Sequence, residues 1–202
     1  MKFSRLPRQE EGWDTISSET HFQNPHLAVV TDEVRTPARK RTTPWTVVQR
    51  KAAVVIAPLT SAGDLVLVRQ ERIAIRAAIW EVPAGQIDEA GELDAAAIEA
   101  IALRELREET GYHLAQAGEL LGLGYFFSSP GFTDEHAYLF LARPVEPSPG
   151  GHAHTETESI VDCRSFTPRE VARMIMNGEI RDANTLAICA RLVASGFLSF
   201  YA

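Results

Sequence analysis

No window of this 202-residue chain is apolar over the length of a membrane span, so a bilayer-crossing helix is not expected. Positive charge is in deficit: 20 Lys and Arg stand against 27 Asp and Glu, and the net charge of −7 argues against a nucleic-acid or anionic-membrane partner. Cysteine is scarce. Cys163 and Cys189 show no CxxC or Cys/His spacing of a zinc site and read as buried thiols of a reducing compartment. The opening residues, Met-Lys-Phe-Ser-Arg-Leu-Pro-Arg, hold no apolar stretch of a signal peptide, so the expected location is the cytoplasm. No internal repeat is present. What remains, 45% apolar and 23% charged residues, is ordinary for a soluble globular protein of one domain plus an extension.

Against that background one octet stands out. Residues 104–111 read Arg-Glu-Leu-Arg-Glu-Glu-Thr-Gly, which puts Glu105, Glu108 and Glu109 at i, i+3 and i+4, on neighbouring positions of one helix face. Gly111 is a helix-ending residue, so the three carboxylates crowd the last two turns. Like charges at that spacing repel by a few tenths of a kcal/mol, and a helix C-terminus disfavours each anion by roughly 0.3–1 kcal/mol. Arg104–Glu108 offsets only part of this. A local rule broken in this way marks a functional site, and the natural compensation is a hard divalent cation with oxygen ligands.

The approach to the octet supports that reading. From Leu93 to Thr110 the chain has no Gly or Pro, and Asp94 can cap the helix start. At about 100° per residue, Ile98, Glu105 and Glu109 share a sector roughly 40° wide. The same face is therefore apolar in its first half and anionic in its second. Its first half would pack on a core and its second would open onto a site.

Upstream, residues 81–92 read Glu-Val-Pro-Ala-Gly-Gln-Ile-Asp-Glu-Ala-Gly-Glu. With Arg-Glu-Leu-Arg-Glu-Glu-Thr-Gly-Tyr at 104–112, this segment resembles the Nudix box, G-x5-E-x7-R-E-U-x-E-E-x-G-U, where U is bulky and apolar. The right half matches at every defined position, with Tyr112 as U. The left half is longer: six residues separate Gly85 from Glu92, and eleven separate Glu92 from Arg104. The added residues precede the carboxylates, so the ligand register survives.

The remaining pattern is consistent with such a fold. Strands are expected at His26–Arg35, Trp45–Gln49 and Ile79–Val82, and a hairpin over 52–70 around the turn Ser61–Asp64. After the helix, apolar segments at Leu120–Phe127 and His136–Ala142 flank Ser128–Gly131, where Pro130-Gly131 suits the centre of a type II turn. Residues 144–154 are a loop by composition, with His152 and His154 solvated within it. A strand at Ser159–Phe166 and helices at Pro168–Asn177 and Asp182–Ala194 complete the chain. Strands, helix, strands, helices indicate an α/β class. The resemblance implies the same: a Nudix-type α/β/α sandwich with a mixed sheet, covering about residues 45–195. Residues 1–44 are polar, look like the short N-terminal β extension of ADP-ribose pyrophosphatases, and are expected to serve dimerisation. The Nudix domain is then 45–202.

The resemblance implies a chemistry: Mg2+-dependent (or Mn2+-dependent) hydrolysis of the pyrophosphate linkage of ADP-ribose or a related nucleoside diphosphate sugar by a homodimer that binds neither nucleic acid nor membrane. Glu105 and Glu109 would be the metal ligands, with Glu108 bridging or behind them and the backbone carbonyl of Ala84 completing the set. Arg104 would orient the glutamates. Arg72, in Arg69-Gln70-Glu71-Arg72, resembles a phosphate-binding arginine at a strand end. Pro130, 18 residues past Tyr112, resembles the downstream proline of ADP-ribose hydrolases and brings Gly131 and Glu135 in as pocket candidates. Thr155-Glu156-Thr157-Glu158 resembles the segment that carries the catalytic base, with Glu158 preferred over Glu156. Trp45 and Phe132 are aromatic candidates for contact with a base. Two other readings use the same residues: a non-catalytic ligand-binding or regulatory module on the Nudix fold, and a nucleoside triphosphate pyrophosphohydrolase. A binding module has no need of three clustered carboxylates, and the Pro130 turn and N-terminal extension speak against a triphosphatase.

Overall fold

The computed structural model describes residues 7, 10–88, 93–150 and 159–201. They form two compact units, one of Met1–Ala53, Gln86–Leu93 and Phe127–His136, the other of Val54–Gly85, Asp94–Phe126 and Ala137–Ala202.

The first unit is built on an antiparallel sheet of β1 (Asp14–Gln23), β2 (Leu27–Arg35) and β3 (Thr43–Arg50), in that spatial order. β2 and β3 fall where alternating apolar residues place them, with Ala28 and Val30 buried on one face of β2. β1 lies in a segment for which composition suggests no strand. Its residues are exposed along its whole length, so no apolar alternation marks it. It is a strand because β2 offers it a partner, and Asn24 closes the hairpin by accepting the N–H groups of His26 and Leu27 at 2.8 and 2.9 Å. Segment 127–136 docks on the end of β3. Val48 N–H donates to Phe132 O at 2.8 Å, Thr133 Oγ1 donates to Val48 O at 2.7 Å, and Arg50 N–H donates to Asp134 Oδ1 at 2.7 Å. The Ser129–Phe132 turn closes with Phe132 N–H on Ser129 O. It is not type II, because Gly131 is absent from the glycines with positive φ, which a type II turn needs at that position.

The second unit is the α/β/α sandwich that the order of elements indicates. Its mixed sheet runs β10 (Ile160–Phe166), β5 (Leu65–Arg72), β4 (Ala53–Thr60), β9 (His136–Pro147), β8 (Tyr112–Phe127), with β6 (Ala77–Glu81) beside β5 and β7 (Ala84–Gln86) beside β4. β4 (Ala53–Thr60) and β5 (Leu65–Arg72) form the hairpin, and their centres, Val54–Ala57 and Leu65–Val68, are buried on both faces. β6 (Ala77–Glu81) returns along β5 after a 3-10 turn at Ile73–Ile75, pairing Val68 with Glu81 and Arg72 with Ala77. β7 (Ala84–Gln86) leads towards α1 (Ala95–Thr110), which packs on β5. Asp94 caps α1 through Ala97 N–H at 2.8 Å, and Gly111 ends it in the left-handed region at φ 71°. β8 (Tyr112–Phe127) starts directly after the helix, eight residues before the apolar segment that announces it. β9 (His136–Pro147) continues through Pro144, where composition suggests a loop; buried Val145 and the Arg143–Glu119 ion pair hold that end in the sheet. β10 (Ile160–Phe166), α2 (Pro168–Met176) and α3 (Ala183–Ala194) follow. α2 opens with a capping box between Thr167 and Glu170 and with proline in its first turn. No helix among the described residues is long and apolar enough to cross a membrane.

Candidate active site

The anionic end of α1 does not face solvent. Glu105 is 8% exposed and Glu109 4%, although both are charged residues of a helix end. Carboxylates so buried need partners. Glu109 Oε2 accepts the Ala84 N–H at 2.9 Å, and Arg104 Nη2 donates to Glu105 Oε1 at 3.0 Å. The Arg104 guanidinium also stands 3.7 Å from Glu108, which is less buried. Glu105 lies flat against Gly85: a Cβ on that glycine would be 2.1 Å from Glu105 Cδ and 2.4 Å from Oε2. The segment Val82–Gly85 is thus the floor on which two helical carboxylates rest.

That floor is pinned from other elements. Pro83 O accepts the Ile56 N–H of β4 at 3.0 Å. Val82 N–H donates to Thr185 Oγ1 of α3 at 3.0 Å, and Thr185 Oγ1 donates to Asp182 Oδ2 at 2.9 Å. Beneath the end of α1, Cys163 Sγ sits 3.7 Å from Thr110 O. Its thiol is pushed up to about 11 by burial first, then by the charges of Asp162 and Glu109.

Arg72 joins the same unit through Glu81, a residue to which the sequence motifs give no role. Glu81 is 1% exposed, and Arg72 donates to it from Nε, at 2.9 and 3.1 Å to the two oxygens, and from Nη2. Burial pushes the Glu81 carboxyl up, outweighing the hydrogen bond and charge of Arg72 that pull it down, and Asp182 adds to the rise. Arg72 itself is held more firmly protonated, by the Glu81 hydrogen bond first and also by the charges of Glu81, Asp182 and Glu109. Glu81 shares its strand face with buried Ile79, and a charged residue at the buried parity of a short apolar strand is the signal that reveals it.

Arg104, Glu105, Glu108, Glu109, Ala84 and Arg72 therefore fall in the second unit. Pro130, Gly131 and Glu135 fall in the first. There Glu135 accepts Ser128 Oγ at 2.7 Å and stands 3.1 Å from Arg50 Nε, while Trp45 Nε1 donates to Gly131 O at 3.3 Å. Trp45 and Phe132 are both exposed. Glu156 and Glu158 lie outside the described residues, as does Glu92.

Among the described residues no three His, Cys, Asp or Glu side chains already converge as a metal-holding group. The donor chemistry nonetheless fits a hard divalent cation: two buried carboxylates and a third beside them, all oxygen donors, set against a backbone segment that carries no side chain at Gly85.

The NUDIX domain family matches residues 49–187. An ADP-ribose pyrophosphatase of Mycobacterium tuberculosis (strain ATCC 25618 / H37Rv) is 34% identical over 192 residues, covering 93% of this chain and 87% of the relative. An ADP-ribose pyrophosphatase of Bacillus subtilis (strain 168) is 31% identical over 174 residues, covering 85% and 87%. Among solved structures, one described as an ADP compounds hydrolase superposes with a TM-score of 0.69 over 95% of this chain and 100% of its own, at 14% identity, a likeness of fold.

The Gly85 contact is testable. In Gly85→Ala the new methyl must displace the Glu105 carboxylate, which is the end of a flexible side chain, so the overpacking falls at the low end of its range and destabilises by about 1 kcal/mol. The variant should melt several degrees below the parent. An unchanged melting temperature would mean that Glu105 is not packed on this backbone.

Proposed function

The chain belongs to the NUDIX domain family, and we propose that it hydrolyses the pyrophosphate linkage of ADP-ribose or a related nucleoside diphosphate sugar, releasing a nucleoside monophosphate and a sugar phosphate. The observation that carries this reading is the burial of Glu105 and Glu109 against Ala84–Gly85. The chain gathers carboxylates, two of them nearly out of water, at the end of a helix that disfavours them, and a hard divalent cation with oxygen ligands is the natural compensation for that arrangement.

In this reading Glu105 and Glu109 hold Mg2+ or Mn2+ together with Glu108 and the Ala84 carbonyl. The cation, when bound, neutralises phosphoryl charge and makes its water more acidic. Arg104 orients the glutamates, as its bonds to Glu105 and Glu108 allow. Arg72 binds a phosphoryl oxygen. Pro130, Gly131 and Glu135 contribute to the substrate side, with Trp45 and Phe132 as aromatic surfaces for the base. Glu158 takes the proton of the attacking water as its oxygen bonds to phosphorus and the bond to the bridging oxygen breaks. The chain just after Glu158 supports this choice: Ser159 O accepts the Glu71 N–H at 3.1 Å, next to Arg72. We further propose that residues 1–44 form a β extension of a Nudix domain at 45–202 and pair two subunits. In support, β1 is exposed throughout and carries Ile16 and Phe22, each more than half exposed.

A panel of nucleoside diphosphate sugars with Mg2+, read by release of nucleoside monophosphate, tests the reaction. Glu109→Gln should lose most turnover while remaining at least as stable as the parent, since it removes an anion from a helix C-terminus. Equal turnover at saturating Mg2+ would refute the assignment.

For the base, Glu158→Gln should lower kcat by about 100- to 10,000-fold with little change in KM, the range of a general base. Glu156→Gln is the control. A large loss at Glu156 with none at Glu158 would move the role to Glu156; no loss at either would leave activation of water to the cation and its glutamates.

For assembly, light scattering should give about twice the 22.3 kDa of the chain. A monomer at micromolar concentration would rule out the pairing role.

A further inference from the structure

The Arg72–Glu81 pair poses a question that stability does not answer. Taking a carboxylate to 1% exposure costs several kcal/mol, and well-packed apolar residues in place of a buried ion pair are often as stable or more so. The pair is also one-sided. Glu81 is sealed in the sheet, whereas the Arg72 side chain is 40% exposed.

Its geometry is specific. β6 pairs with β5 so that Arg72 lies opposite Ala77 and Glu81 opposite Val68, four positions back along the strand. Arg72 therefore does not run off the end of β5 into solvent. It folds back along the sheet to meet Glu81, into a region where Glu109 and Asp182 also act on its charge. Glu81 takes the Nε–H and one N–H of Nη2. Nη1 makes no hydrogen bond among the described residues. The free edge of the guanidinium, from Nη1 to the outer N–H of Nη2, presents parallel donors of the kind that grip two oxygens of a phosphoryl group.

We propose that Glu81 is a positioning residue: it occupies the inner edge of Arg72 and thereby fixes the outer edge as a two-pronged clamp for a phosphoryl group of the substrate. This rests on the pyrophosphate-linkage reading for the identity of the substrate, but not for the clamp itself. A lysine cannot replace Arg72 here, because one ammonium cannot hold Glu81 along one edge and a phosphoryl group along another.

Inorganic pyrophosphate, added with saturating Mg2+ to offset the carboxylate charge, is the probe, followed in the intact chain through the 15N-labelled Nε–H signal of Arg72, assigned by its loss in Arg72→Lys. Dissociation constants of all variants come from calorimetry. Glu81→Gln keeps the volume but turns an amide N–H towards the guanidinium. It should weaken pyrophosphate binding about tenfold, the size expected for hydrogen bonds to a charged group. Arg72→Lys should do the same. The double variant should be no weaker than either single one, because both remove the same clamp. A purely structural pair would lower the melting temperature and leave affinity alone. Affinity within about twofold of the parent in Glu81→Gln, additive losses in the double variant, or no response of Arg72 to pyrophosphate in the parent would each overturn the proposal. Should Glu81→Gln fail to fold, full affinity in Arg72→Lys would overturn it as well. A parent that binds pyrophosphate at Arg72 yet leaves every nucleoside diphosphate sugar intact would strike the substrate reading and leave the role of Glu81 standing.

Discussion

Two helical carboxylates pressed onto one backbone segment govern the second unit of this protein. Glu105 occupies the space that a side chain on residue 85 would need, and Glu109 accepts the N–H of Ala84. That floor must not move, since a carboxylate loses its partner if the peptide it bonds to shifts by an ångström. The surrounding elements hold it accordingly. β4 binds Pro83, α3 binds Val82 through a fully buried threonine, and the Asp182 cap of α3 fixes that threonine in turn. Thr185, buried and 103 positions from Val82 in sequence, is thus part of the same construction. The apolar half of α1, with Ile101, Ala102 and Leu106 buried, anchors the helix so that its anionic half can carry an unfavourable charge density.

Much of this is legible in sequence because it depends on local periodicity. The 3.6-residue repeat gives α1 and puts Glu105 and Glu109 on one face. Asp94 and Gly111 mark its ends, and Pro168 marks the start of α2. The hairpin of β4 and β5 follows from two apolar runs around a turn. The missing parts depend on contacts between distant residues. β1 has no apolar face and exists by pairing with β2. The 144–147 segment has the composition of a loop but continues β9, because Val145 is buried and Arg143 reaches Glu119, 24 residues earlier. The turn at Pro130-Gly131 is foreseen in place but not in type, since its conformation answers to docking on Val48 and Arg50, more than 80 residues before it. Glu81 sits in plain view in the motif, yet its burial depends on a partner nine residues away on the next strand.

Charge bookkeeping within the second unit links the fold to the proposed chemistry. Glu81, Asp182 and Glu109 all act on the charge of Arg72, Glu105, Glu108 and Glu109 share the end of α1, and Arg72 and Arg104 are both engaged by carboxylates. Such a region repels a diphosphate. An anionic substrate can enter it only with additional positive charge, and a hard divalent cation on the glutamates is the charge that their oxygen donors select. The same arithmetic explains how a chain of net charge −7 can be suited to a polyanionic small molecule and unsuited to a nucleic acid. The attraction is made at one point by a cation, not spread over a surface. In the proposed reaction Arg72 would then have a defined part: with its inner edge neutralised by Glu81, it would add direction more than net charge, and direction is what in-line attack on a phosphoryl group requires.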